Sequence, residues 1–297
     1  MYEYLIFGVA FGGTMIAAIL DLWTTEVPDS ISIIVGSVSF GLHLALSWVT
    51  GDITYALWSA GLGVGFLAAG WALYCVGGWG GADAVVLGSL GFALPYIGEV
   101  MAPLGAVPWP YPFTFMLNIL IIGSLYSLAY AMYKGFTVDG LMQTFLDDIR
   151  NYAGRMMLIM IAVTGVMAGI ALAADLQGLA PIGSSLQVMV WYLPLLIGLL
   201  ILYRYLRIVE DHGLVREIDV EDLAVGDVVV EEIELEAGDI HPSRIVGIDE
   251  DQLDELIETK ETVEIQHGVR FVLTFPLAFA ATAFLGDLVL LALDLLG

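Results

Sequence analysis

The chain has 297 residues, 59% of them hydrophobic and 14% charged, with a formal net charge of -24 and a mean hydropathy of +0.87. Those values exclude an ordinary soluble domain and a basic nucleic-acid-binding protein, and they call for an integral membrane protein. Cys75 is the single cysteine, which excludes an internal disulfide and a cysteine metal cluster.

Crossing about 30 Å of hydrocarbon takes roughly 20 apolar residues in a helix. Runs of that kind are read at 2–22, 30–49, 54–76, 84–98, 113–133, 156–174, 187–206 and 271–295, so eight transmembrane helices are expected. The run at 84–98 is short and leads into "LPYIGEVMAPLGAVPWPYP", which leaves it either tilted or extended by preceding residues. The first run lacks a basic leader and ends in "DLWTTEVPD" instead of a small-residue cleavage site, so it is expected to stay in the protein.

All nine basic residues fall in two blocks: Lys134, Arg150 and Arg155, then Arg204, Arg207, Arg216, Arg244, Lys260 and Arg270. Under the positive-inside rule both blocks are cytoplasmic, which puts the N-terminus outside and the loops 23–29 and 77–83 inside. Trp23 and Trp79 then lie near inner ends and Trp48, Trp58, Trp109 and Trp191 near outer ends, as an aromatic belt requires.

Between the seventh and eighth runs, residues 208–267 carry 20 Asp or Glu against three Lys or Arg, with apolar stretches such as "DVVVEEIEL" and "SRIVGI". This predicts a small acidic, β-rich cytoplasmic domain with a helix at "DEDQLDELIE". Its charge is read first as a solvated surface and second as an attraction for a basic partner. Between 135 and 155, "GFTVDGLMQTFLDDIRNYAGR" is expected to form an interfacial amphipathic helix. The organisation read from the sequence is a transmembrane core at 1–206, an acidic domain at 207–269 and a last helix at 270–297.

Six acidic residues in or beside the runs are candidates for a role: Asp21, Asp83, Glu99, Asp175, Asp287 and Asp294. Carboxylates there are costly to desolvate and ask for a function or a partner. Only Asp21 and Asp83 combine an apolar approach with the inner face. Two carboxylates brought close share a proton and can activate water, one as base and one as hydrogen-bond donor to a scissile carbonyl. The competing reading makes both of them helix-end residues, with "GGAD" a turn and Asp83 the cap of the next span. A third reading joins Asp21, Asp83 and Asp287 into the relay of a proton- or cation-coupled transporter. A fourth is a non-catalytic membrane scaffold that recruits partners through the acidic stretch.

The sequence resembles the archaeal branch of the type IV prepilin peptidases, which includes the preflagellin (prearchaellin) peptidases and belongs to the GxGD membrane aspartyl proteases. The resemblance rests on an aspartate ending the first run and followed by Pro-Asp, "DLWTTEVPD" at 21–29. It rests next on "GGAD" at 80–83, and less specifically on "HGVRFVLTFPLAFAATAFLGD" at 267–287. It implies a catalytic pair, Asp21 and Asp83, supported by Gly80, Gly81, Ala82, Pro28 and Asp29. The implied reaction removes the leader of prepilin or prearchaellin precursors at the cytoplasmic face of the cell membrane. Partners are then precursors with a short basic leader ahead of a hydrophobic helix, together with the lipid bilayer. No cofactor, metal or nucleic acid is expected. Ala82 departs from the family's second glycine and is expected to stiffen a tight turn, and Val85 stands where many relatives carry lysine. The paired-cysteine zinc module of bacterial relatives cannot form around Cys75 alone. Pro28 and Asp29 are read as structural, with Asp29 capping the second span.

Overall fold

The computed structural model describes residues 2–24, 27–76, 79–95, 105, 107, 109–178, 182–235, 238–240, 247–266 and 268–296. The chain is a multi-pass helical membrane protein. In chain order its helices are α1 (Tyr2–Thr24), α2 (Asp29–Thr50), α3 (Thr54–Cys75), α4 (Gly81–Ala93), α5 (Tyr111–Thr137), α6 (Leu141–Leu176), α7 (Ile182–Ile208), α8 (Glu250–Thr259), α9 (Thr274–Phe284) and α10 (Leu288–Leu296). Among the described residues two strands, β1 (Val215–Asp219) and β2 (Thr262–Gln266), pair antiparallel from Val215 opposite Gln266 to Asp219 opposite Thr262. Helices dominate because a lipid-exposed segment must satisfy its own backbone hydrogen bonds.

Among the described residues, six helical stretches are long and apolar enough to cross a bilayer: α1, α2, α3, α5, α6 and Tyr192–Gly213. The last apolar run is a seventh only if α9 and α10, bent by 62° at their junction, act together. Gly286 at that junction has φ +86, and the Asp287 side chain accepts the Val289 and Leu290 N–H groups at 2.9 and 3.2 Å. The break is thus built into the sequence as a capped restart of the helix.

The fourth run, at 84–98, departs from expectation. Helix α4 has 13 residues, roughly 20 Å of helix and too short for the hydrocarbon layer. Nine of those residues are buried, from Asp83 to Ala93. It is an internal helix enclosed by protein, where length is not set by bilayer thickness. The segment expected as a separate interfacial helix is likewise different: residues 141–155 are the first turns of α6, which continues unbroken for 36 residues. The change of direction comes before it, at Gly140 with φ +76.

The residues group into two compact units. The first holds 1–129, 220–261 and 268–297, and the second 130–219 and 262–267. In the first, Val86, Leu87, Leu90 and Ala93 of α4 share a core with Ile6, Ala10, Ala17 and Ala18 of α1, Phe115 and Ile119 of α5, and Phe275, Ala278 and Phe279 of α9. Helices α3 and α4 meet at van der Waals distance, since a Cβ on Gly70 would lie 2.8 Å from the Ala84 Cα and one on Gly91 2.7 Å from the Leu62 carbonyl oxygen. Helix α9 runs antiparallel to α1. Phe7 stacks on Phe279 with centroids 5.1 Å apart, and Asp21, at the far end of α1, meets Val272 just before α9.

The acidic stretch is divided between the two units. Residues 220–261 bury Leu223, Val229, Ile233, Ile240, Ile248 and Leu256 in the first. The expected helix is present as α8, opened by Asp249, whose side chain accepts the Gln252 N–H at 2.9 Å while Gln252 accepts the Asp249 N–H at 3.1 Å. The β content among the described residues amounts to β1, β2 and one bridge between Ile233 and Ile240. In the second unit α6 and α7 pack together. The Arg204 guanidinium binds Asp148 with Nε at 2.8 Å and lies 4.4 Å from the Tyr152 ring centroid.

Candidate active site

Short connections make successive helices antiparallel neighbours. The chain passes from α1 to α4 through links of a few residues, so the end of α1, the start of α2, the end of α3 and the start of α4 share one end of the first unit. That arrangement brings Asp21 and Asp83 together. Both are buried, each with 7% of its surface exposed, and they lie within electrostatic reach of one another.

Asp21 occupies the last turn of α1, which closes at Thr24. A carboxylate there opposes the negative end of the helix dipole, a conflict worth roughly 0.3–1 kcal/mol at an exposed site. Helix propensity therefore does not account for it. Its Oδ2 accepts the Val272 N–H at 3.2 Å, from the segment that leads into α9. Arg270, two residues earlier, donates from Nη1 to the Leu22 carbonyl oxygen and sits within electrostatic reach of the Asp21 carboxylate.

Asp83 is the third residue of α4, and Gly80, not Asp83, is the cap. The Asp83 Oδ2 accepts the Gly80 N–H at 3.0 Å, the acidic half of a capping box. A Cβ on Gly80 would stand 3.3 Å from that oxygen, so the carboxylate would have to give by a few tenths of an ångström. With φ -75 the Gly80 backbone itself is open to any residue. Gly81 and Ala82 follow inside the helix, so Ala82 takes up a conformation alanine prefers, and the stiffened turn expected there does not arise. Gly77 and Gly78, the preceding glycines of the sequence, lie outside the described residues.

Each carboxylate thus has one oxygen, Oδ2, held by a backbone N–H. Among the described residues the Oδ1 of each takes no hydrogen bond. Trp79 links the two sides of the site: its ring lies 5.7 Å from that of Phe271 and 5.4 Å from that of Phe275, edge-on to the latter.

The remaining acids separate from this pair. Asp287 is buried, but it caps α10 beyond the full length of α9, whose 11 residues cover roughly 16 Å. Asp175 and Asp294 are exposed, and Glu99 lies outside the described residues. Pro28 is the cap of α2 with φ -60. Asp29, expected in that role, is instead the first helical residue and is exposed, where its charge favours the positive end of the dipole. Val85 is half-buried. Among the described residues no three His, Cys, Asp or Glu side chains cluster as a metal site would need.

The sequence reading missed Arg270 and the Val272 N–H. Arg270 was counted as a topological charge, although it is the one basic residue between the acidic stretch and the last apolar run. A backbone donor such as Val272 leaves no mark in a sequence. No family model, curated protein or solved structure matches the chain significantly.

Proposed function

We propose that this protein is a membrane-embedded aspartyl endopeptidase that uses Asp21 and Asp83 to activate water and removes the leader of type IV prepilin-like or prearchaellin precursors at the cytoplasmic face. The observation that carries the reading is the pair itself: two buried carboxylates within electrostatic reach, each tethered through Oδ2, with Oδ1 taking no hydrogen bond among the described residues. One Oδ1 takes the proton of an attacking water. The other, protonated, donates to the scissile carbonyl and stabilises the oxyanion as it forms. The backbone tethers keep both groups oriented without supplying a proton of their own.

Helix capping supports only half of an alternative account. It explains the bond from Gly80 to Asp83, but it leaves Asp21 buried at the unfavourable end of α1. The relay of a transporter would need Asp287 as a third member, and that carboxylate is engaged as the cap of α10.

The substrate class and the cytoplasmic placement of the acidic stretch belong to the same proposal, carried by the resemblance of residues 21–29 and 80–83 and by the placement of the basic residues. An acidic cytoplasmic surface attracts a basic leader over a Debye length of about 8 Å at physiological salt. The test is to incubate the purified protein with precursors bearing such leaders and to map the products by mass spectrometry. A single cut between leader and hydrophobic helix is expected. Intact precursors under all conditions that keep the protein folded would end the peptidase reading.

A further inference from the structure

The segment 270–275 touches both sides of the carboxylate pair. Arg270 donates to the Leu22 carbonyl oxygen, Val272 donates to Asp21, and Phe271 and Phe275 pack on Trp79, four residues ahead of Asp83. The carbonyl that Arg270 engages belongs to the residue after Asp21, in the last turn of α1, where backbone acceptors lack partners within the helix. An arginine there satisfies such an acceptor with a charge-assisted bond and presents a permanent positive charge to the Asp21 carboxylate.

Resting on the peptidase reading above, we propose that Arg270 is a positioning residue for Asp21, fixing the last turn of α1 against the segment 270–275 so that the Asp21 carboxylate stays in register with Asp83. The guanidinium acts on the last turn through the Leu22 carbonyl and on the carboxylate through its charge, while the Val272 N–H sets which oxygen is tethered. Phe271, between them, carries the same constraint to Trp79 and so to the start of α4. A small loss of register is costly in a site of this kind, because a reacting group displaced by about 1 Å can lower turnover roughly 100-fold.

The test compares the full-length wild type with Arg270→Gln and Arg270→Lys on one precursor, measuring kcat and KM separately alongside thermal unfolding. Arg270→Gln is expected to lower kcat about 10- to 100-fold with little change in KM. Arg270→Lys keeps the charge and one donor and is expected to recover most of that loss. A raised KM at unchanged kcat would make Arg270 a substrate contact and overturn the proposal. So would wild-type kcat in Arg270→Gln, whether or not its unfolding temperature falls, since a plain helix cap would affect only stability. If Arg270→Gln does not fold, Arg270→Met, which keeps the apolar stem without charge or donor, decides: turnover tracking the folded fraction alone contradicts a positioning role, and a loss of kcat per folded molecule supports it. Absence of cleavage by the wild type would remove the peptidase reading and this proposal together, whereas normal cleavage by Arg270→Gln removes the proposal alone.

Discussion

At the scale of single residues, two carboxylates illustrate what a sequence does and does not disclose. Asp21 and Asp83 were legible because an ionisable group beside an apolar run is costly enough to stand out. Their tethers were not legible, because the Val272 and Gly80 N–H groups are donors that every non-proline residue has. Asp29 shows the limit of a one-residue reading: the proline moves the cap by one position and leaves the aspartate exposed in the first turn. Asp29→Asn should therefore retain substantial cleavage, at a stability cost of a few tenths of a kcal/mol from the lost dipole interaction. Ala82→Gly, which restores the glycine of the resembling family, should leave turnover near wild type and reduce stability by up to about 1 kcal/mol, since glycine is the poorer helix former. Unfolding curves and initial rates on the same preparations check both. A large gain in rate from Ala82→Gly would mean that the backbone at 82 needs a freedom that its place in α4 does not suggest.

At the scale of elements, the short helix α4 explains why hydropathy misled on length. A run of apolar residues reads alike whether lipid or protein surrounds it, and only the packing partners distinguish the two. Those partners are unusually close. With Gly70 opposite Ala84, directly after Asp83, the α3–α4 contact sets where the first turn of α4, which carries Asp83, begins. Replacing Gly70 with leucine inserts a side chain where a Cβ alone would already stand 2.8 Å from the Ala84 Cα. Gly70→Leu should cost about 1–3 kcal/mol of stability or more, and any protein that folds should have lower kcat because Asp83 has moved. Gly61, also in α3, has open space around its Cβ position. Gly61→Leu is the matched control and should cleave normally. Equal activity of the two variants would show that α3 does not hold α4 in place.

At the scale of the whole molecule, the helical membrane character was legible from composition, and the helix at "DEDQLDELIE", present as α8, from its sequence pattern. The partition of the acidic stretch was not, because strand pairing between 215–219 and 262–266 is a long-range choice that local alternation does not reveal. That pairing has a practical consequence. Val215 and Gln266 are partners across the ladder, so residues 216–265 begin and end side by side and can be replaced by a short Gly/Ser linker. The excised protein should keep some turnover, with weaker binding of a basic leader, because neither carboxylate nor the segment 270–275 is removed. Complete loss of turnover in a well-folded excision variant would place part of the site within 216–265. Orientation is open to an independent check: labels at Thr24 and Asp251 should both react from the cytoplasm and a label at Trp109 from outside.

The central claim is that Asp21 and Asp83 act as one catalytic unit. The most direct measurement is precursor cleavage by Asp21→Asn, Asp83→Asn and the double variant, each verified to insert and extract like wild type. Asparagine keeps nearly the same volume while removing the charge and the exchangeable proton. The account predicts that each single variant abolishes cleavage and that the double variant is no worse, because losing one member already disables the pair. Near-normal cleavage by either single variant would contradict it and return both aspartates to the ends of their helices.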